Sequence, residues 1–330
     1  MMQDLSAPPT LDDIQGPVQD QLDRVIDELR RIIVSDFDRI EEVNHYLLLL
    51  RGKLLRPALL LLANRIGRPQ DPRAVSLAAV VELVHLATLV HDDAVDHSVL
   101  RRGQPTVNAL WSHQVAIIMG DYLYSRAIIE LAEVGSHDAT RVMARAANEM
   151  SVGEMRQLTA YDALDFHEED YDRLIAAKTA SLMSAACELG ALVGDASLRG
   201  RLASFGHNLG MAFQIADDLL DYTGSADVTG KPTGHDLRER KVTLPLVGAM
   251  ARASGAQMDD IRHFFTLVDP SDEEIGRVVR MVTDLGGLEY AREKADRFAE
   301  SALVDLEGLP GGTALDALRA SVAYATQRNR

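Results

Sequence analysis

Apolar residues recur along the chain with helical spacing. From Val18 onward, Leu22, Val25, Ile26, Leu29, Ile32 and Ile33 fall on one face of a 3.6-residue period. A second run passes through Leu77, Val81, Val84, Ala87 and Leu89 toward His97. Asp71-Pro72 ahead of it reads as a helix start, an N-cap followed by Pro in the first turn. Trp111 to Glu133 form a third run with Gly120 inside it, as close packing would require. Ser271-Asp-Glu-Glu274 is a capping-box sequence, and Gly311-Gly312 punctuates the chain before a last helix from Thr313 to about Gln327. No period-2 run marks a strand, no Gly-rich phosphate loop follows one, and no short repeat appears. The pattern predicts an all-α protein, one domain of roughly ten or more helices. Two segments depart from it. Residues 1–18 are polar and carry Pro8, Pro9 and Pro17, so they are expected to be mobile, leaving 19–330 as the folded domain. Thr223 to Thr243 hold Gly224, Gly230, Pro232 and Gly234 among charges and read as a long functional loop or lid.

Composition agrees and narrows the function classes. Of 330 residues, 47% are apolar and only 5% aromatic, with Leu, Ala and Val dominant, which favours helices. With 34 basic and 50 acidic side chains the formal charge is −16, which speaks against generic nucleic-acid binding and makes local basic clusters informative. Cys187 is the single cysteine, so an intrachain disulfide and a multi-cysteine zinc site are excluded; a reducing, cytoplasmic setting is expected. Met1 to Thr10 show no secretory pattern, and the apolar stretch Ala74–Val90 contains Glu82 and His85, which argues against a membrane span. Peripheral contact with a bilayer stays open.

The strongest chemical signal is His91-Asp92-Asp93-Ala94-Val95-Asp96, continued by Arg101-Arg102-Gly103. Asp92 and Asp96, four residues apart, share a helix face. Two like charges one turn apart need open water or a cation between them, and oxygen-only ligands suit a hard ion such as Mg²⁺ that also binds substrate phosphates. A second copy occurs at Gln214-Ile-Ala-Asp217-Asp218-Leu-Leu-Asp221, closely flanked by Met211, Phe213, Ile215, Leu219 and Leu220. Carboxylates set so deeply into an apolar helix are costly unless they face a cavity holding cations. One such motif is as easily a solvated helix face; two in one chain, each with basic companions, are not. Those companions are Gly52-Lys53-Leu-Leu-Arg56-Pro57, Lys178-Thr179 in an Ala-rich helix, and Lys231 and Lys241 bracketing the lid. Singly each reads as a surface charge; together they suit anionic phosphate substrates.

In these motifs, their order and their spacing, the chain resembles the trans-isoprenyl diphosphate synthase (polyprenyl synthetase) family over roughly residues 20–330. The resemblance rests on Gly52-Lys-x-x-Arg56-Pro, His85, Asp92-Asp-x-x-Asp96, Arg101-Arg102-Gly, Gly120-Asp121, Lys178-Thr179 and Phe213-Gln214-x-x-Asp217-Asp218-x-x-Asp221. It continues in Gly230-Lys231, Gly234-x-Asp236-Leu237 and Lys241-x-Thr-Leu-Pro245. It implies an orthogonal helical bundle around a deep central cavity, a homodimer, and about three Mg²⁺ per active site held with the allylic diphosphate. It implies that Asp92, Asp96 and Asp217 bind metal, with Asp93, Asp218 and Asp221 nearby. Lys53, Arg56, His85 and Arg102 would hold isopentenyl diphosphate, and Arg101, Lys178, Lys231 and Lys241 the allylic diphosphate. Thr179 and Gln214 would face the reacting carbons. The implied reaction is head-to-tail condensation to an all-trans prenyl diphosphate.

Product length is read from Ala87 and Thr88, about one turn before Asp92. Short-chain members of the family often carry a bulky aromatic there; Ala and Thr leave the way open, so C20 or longer is expected. Ala87-Thr88-Leu89-Val90-His91-Asp92 and Ala323-x-x-x-Gln327-Arg328 resemble bacterial long-chain polyprenyl synthases, with geranylgeranyl or farnesyl diphosphate synthase as the alternative. Met119, Tyr124, Met150 and Met155 are candidates for a deeper floor. Three rival readings stand beside this. A terpene cyclase would leave Lys53, Arg56, His85 and Arg102 without a purpose. A catalytically dead partner subunit would usually lack a motif. A carboxylate-bridged di-iron bundle could use Glu42-x-x-His45 and Glu82-x-x-His85, but leaves both aspartate motifs unexplained.

Overall fold

A computed structural model describes residues 8–50, 52–67, 71–159, 165–223 and 234–327. The chain runs through α1 (Leu11–Gln15), α2 (Gln19–Ile32), α3 (Asp38–Leu49), α4 (Leu55–Arg65), α5 (Arg73–Val95), α6 (Val107–Leu110), α7 (His113–Val134) and α8 (His137–Thr159). It continues through α9 (Glu168–Ile175), α10 (Ser181–Val193), α11 (Arg199–Thr223), α12 (His235–Arg238), α13 (Leu244–Met250), α14 (Gly255–Thr266), α15 (Asp272–Asp284), α16 (Gly287–Asp305) and α17 (Thr313–Gln327). The all-α expectation holds.

The local signals act as read. Asp71 Oδ1 accepts the Arg73 N–H at 2.8 Å at the head of α5. Ser271 and Glu274 close a reciprocal capping box on α15. At Gly120 a methyl group would lie 2.2 Å from the His91 ring nitrogen, so this glycine lets α5 and α7 lie side by side. Three readings need correction. Residues 11–18, expected to be mobile, form α1 and a 3₁₀ turn, and bury Ile14 and Val18 completely. A second capping box, Thr10 with Asp13, starts that helix. The second apolar run ends at Val95, short of His97. Trp111 lies ahead of α7, which begins after a Ser112 cap; its ring packs edge-on against Tyr46 at 5.5 Å.

A two-residue antiparallel hairpin, β1 (Leu100–Arg101) with β2 (Gln104–Pro105), was not expected. Its turn is Arg102-Gly103, with φ of 53° and 75°. Positive φ at both central residues is the twist a tight hairpin demands. The turn sends neighbouring arginines to different partners.

Two apolar clusters make the core. The larger joins α2, α4, α5, α7, α10, the first half of α11 and α17. The smaller joins α9, the second half of α11 and α13–α16, and Phe298 borders both. Helix α11 crosses from one to the other, packing along α10 and α16, while α5 packs along α7. Helix α5 is long and apolar enough to cross a membrane by composition, but Leu77, Val80, Val81, Leu83 and Val84 are buried in the protein core.

Candidate active site

The first motif closes α5. Asp92 is largely buried, and its carboxyl is pushed up from an ordinary 3.8 to about 6, first by burial and then by Glu154 and Asp96, against the fields of Lys178 and Arg101. Asp93 points elsewhere. It is buried and accepts from Arg101 Nε at 2.8 and 3.0 Å, so it anchors the hairpin to α5. Asp96 is exposed at the end of the helix.

Lys178 and Thr179 sit in a single π-helical turn, Ala176–Ala180, between α9 and α10. Such turns widen the helix and re-aim side chains, and are frequent at functional sites. Two glycines make room for it: methyl groups at Gly153 on α8 and Gly210 on α11 would lie 2.7 Å from Ala177 Cβ and 2.5 Å from Ala180 Cα. Lys178 Nζ donates to Gln157 Oε1 at 2.8 Å and pairs with Glu154, one turn earlier on α8. Thr179 Oγ1 donates to Gln214 Oε1 at 2.8 Å, so the turn links the first motif to the second.

Within the second motif the three aspartates diverge. Asp217 is exposed. Asp218 is buried; its Oδ1 accepts from Gln214 Nε2 at 2.8 Å and its Oδ2 from the Tyr171 hydroxyl at 2.6 Å. Burial and the neighbouring Asp236 hold the Asp218 carboxyl well above the usual range, against those two donors. Asp221 receives the backbone N–H of His235 at 3.0 Å and of Asp236 at 2.9 Å, so it caps α12. The Asp236 carboxyl is lifted to about 7 by burial and then by Asp221. Lys241 donates to Glu239 at 2.7 Å. Its pKa is raised although burial opposes it, because Glu239, Asp96 and Asp236 all favour the charged form. Lys241 thus stands in the field of Asp96 from the first motif and of Asp236, the acid that neighbours Asp218 and Asp221. Lys231 and Gly230 lie outside the described residues.

A second basic group gathers at the start of α4. Leu54 takes a left-handed φ of 50° ahead of α4, turning the chain between Lys53 and Arg56. Arg56 Nη1 lies 3.1 Å from His85 Nε2. Because a guanidinium only donates, Nε2 accepts and Nδ1 carries the imidazole proton. Burial and then Arg56, Arg102 and Arg101 pull His85 well below its ordinary value, so it is neutral at pH 7. Arg102 approaches from the hairpin: a methyl group at Gly52 would lie 3.3 Å from its Nη1 and 3.6 Å from Glu82 Oε1. Arg56 Nε is buried without a hydrogen-bond partner among the described residues, a donor an anion could use. Lys53 Nζ is 3.4 Å from the Tyr324 hydroxyl, and its carbonyl accepts from Gln15 at 2.6 Å, so α1 and α17 frame the group.

The structure therefore adds residues that the motifs did not single out for these roles: Glu82, Glu154, Gln157, Tyr171 and Tyr324. Only Glu82 left a signal, as an acid inside an apolar run. The di-iron pairing does not form. Glu42 and His45 are exposed on α3, with Glu42 bonded to Arg39. Among the described residues no three His, Cys, Asp or Glu side chains converge into a ready cage. The donors that the two motifs offer are carboxylate oxygens, which suits a hard ion that completes its shell with water and phosphate oxygens. Ala87 is buried on α5; Thr88 bends back onto the His85 carbonyl at 2.7 Å. Met119 and Met150 are buried, whereas Tyr124 and Met155 are exposed, so these two do not floor a cavity within one chain.

The site thus combines paired acidic motifs beside lysines with a separate group of arginines around a neutral histidine. The polyprenyl synthetase family model matches residues 37–282, and the chain belongs to that family; it is a prenyltransferase. It is 37% identical to heptaprenyl diphosphate synthase component 2 of Geobacillus stearothermophilus over 94% of this chain and 97% of that one. A decaprenyl diphosphate synthase structure from Rhodobacter capsulatus superposes with a TM-score of 0.92 at 37% identity, covering 97% of this chain and 100% of that one. A polyprenyl synthase structure from Caulobacter crescentus, complexed with calcium and isoprenyl diphosphate, gives 0.91 at 31% identity over 98% and 100%.

Proposed function

We propose that the chain condenses isopentenyl diphosphate with an allylic diphosphate, head to tail, to an all-trans polyprenyl diphosphate of the long-chain class, C20 or longer. The observation that carries this is the two-part site: both aspartate motifs linked through the Lys178-Thr179 turn, and a distinct basic group of Arg56, His85 and Arg102. A cyclase would need only the first part.

Lys53, Arg56, Arg102 and neutral His85, through its Nδ1–H, hold the isopentenyl diphosphate. Arg101, Lys178 and Lys241, with Lys231, hold the allylic diphosphate. Asp92, Asp96 and Asp217 would hold Mg²⁺, which when bound supplies charge neutralisation to the departing diphosphate. The allylic C–O bond breaks and the electron pair leaves with diphosphate. Thr179 and Gln214 turn oxygen toward the resulting allylic cation, whose charge a carbonyl dipole favours. The isopentenyl double bond forms the new C–C bond, and the released proton passes to the departed diphosphate. Apolar walls exclude water that would trap the cation as an alcohol. Buried Ala87 leaves α5 without a bulky plug one turn before Asp92, which supports a long product.

We further propose a homodimer through α7. Ile117, Ile118, Ile128 and Ile129 are 42, 59, 51 and 49% exposed on that helix, and Val152, Met155 and Leu158 continue the apolar surface on α8. A cytoplasmic setting accords with the free, buried Cys187. The deciding experiment incubates purified protein with farnesyl diphosphate, labelled isopentenyl diphosphate and Mg²⁺, then dephosphorylates and sizes the alcohols. A ladder reaching C30 or beyond supports the long-chain reading. One ending at C20 replaces it with a geranylgeranyl synthase, and no incorporation from any allylic primer overturns the reading.

A further inference from the structure

Tyr171 is almost fully buried on α9, seven residues before Lys178, yet its hydroxyl reaches the second motif. It heads a continuous relay: Tyr171 O–H to Asp218 Oδ2 at 2.6 Å, Gln214 Nε2 to Asp218 Oδ1 at 2.8 Å, and Thr179 Oγ1–H to Gln214 Oε1 at 2.8 Å. Each link constrains the next. Gln214 Nε2 donates to Asp218 Oδ1 while its Oε1 receives the Thr179 hydroxyl, so the two contacts together set which edge of the amide meets which partner. Gln214 is then obliged to present its carbonyl oxygen beside Thr179. The flipped amide would lose both observed contacts, Nε2 to Asp218 Oδ1 and Thr179 Oγ1 to Oε1, and turn two positive hydrogens to the reacting carbons. Helix α9 is itself held firmly, because buried Lys294 on α16 binds Glu168 at 2.5 Å and both Asp172 oxygens at 2.6 and 2.7 Å.

We propose that Tyr171 is a positioning residue of the elongation reaction, fixing through Asp218 the orientation of the Gln214 amide and so the oxygen-lined face that Gln214 and Thr179 turn to the allylic carbons. This rests on the assignment of Gln214 and Thr179 to those carbons. Tyr171 touches no substrate and acts only through the relay.

The test is a double-mutant cycle in the Mg²⁺-loaded enzyme with farnesyl and isopentenyl diphosphates, using Y171F, Q214L and both together. Removing a partner one layer behind a reacting group should lower kcat about tenfold, with both KM values and the Mg²⁺ requirement within about twofold of wild type. Q214L alone should lose about a hundredfold, and the double variant should be no worse than Q214L. Additive losses overturn the proposal, as does a Y171F variant with normal kcat or with a raised KM as its main defect. Near-normal Q214L overturns the assignment of Gln214 itself, and the proposal with it. Should Y171F fail to fold, 3,5-difluorotyrosine at 171 keeps the ring and alters only the hydroxyl's acidity. A change in kcat at constant KM then supports the relay, and unchanged kcat overturns it.

Discussion

Asp92 should trade stability for function, and Asp92→Asn should expose the trade. Burial beside Glu154 and Asp96 lifts this carboxyl from 3.8 to about 6 in the folded, metal-free protein. A lift of about two pH units corresponds to about 3 kcal/mol of destabilisation when the group is forced to ionise. Asp92 keeps some contact with solvent, which screens the charge, so about 1–3 kcal/mol is the working range. The sign follows from proton linkage. The folded state binds this proton more tightly than the unfolded chain, so the penalty is absent below about pH 4, grows as pH rises, and is complete above about pH 7. Asparagine keeps the shape and removes the charge. In EDTA at pH 8, D92N should melt about 2–6 °C above wild type, at roughly 2 °C per kcal/mol for a chain of this size. The gap should close at pH 4. With Mg²⁺ and an allylic diphosphate analogue the order should reverse, because only the wild type gains the full linkage from binding. Scanning fluorimetry at three pH values measures all of this. If D92N melts below wild type in EDTA at pH 8, the claim that burial, Glu154 and Asp96 outweigh Lys178 and Arg101 at Asp92 is wrong.

Other outcomes follow from the same geometry. Asp92→Ala and Asp217→Ala should each lower turnover by about two orders of magnitude or more, since each removes a candidate metal ligand; near-normal steady-state rates in either would refute that role. Ala87→Phe should shorten the alcohol ladder seen by chromatography, and an unchanged ladder would sink the open-path reading of α5. Gly210→Ala should cost about 1–3 kcal/mol in urea unfolding, because its methyl meets backbone. It should also slow turnover by displacing the Lys178-Thr179 turn. Ile118→Asp combined with Ile129→Asp should convert a dimer to a monomer in size-exclusion chromatography with light scattering.

The sequence by itself determined the helical class, the helix starts at Asp71 and Ser271, and the two aspartate motifs with their basic companions. All of these are local: helical periodicity, caps and i,i+4 spacing act within a few residues, so they can be read from the chain. It left α1 unread because a five-residue helix carries too little periodicity, although Thr10 and Asp13 were there to mark it. The hairpin was unread because its strands are two residues each. Which aspartate faces what was decided only by tertiary structure. Within one motif Asp217 lies at the surface, Asp218 bonds Tyr171 forty-seven positions away, and Asp221 caps α12. The clamp from Lys294 to Asp172 spans 122 positions. Such partners leave no periodic trace, because a buried polar group needs a hydrogen bond but any helix the packing brings near can supply it.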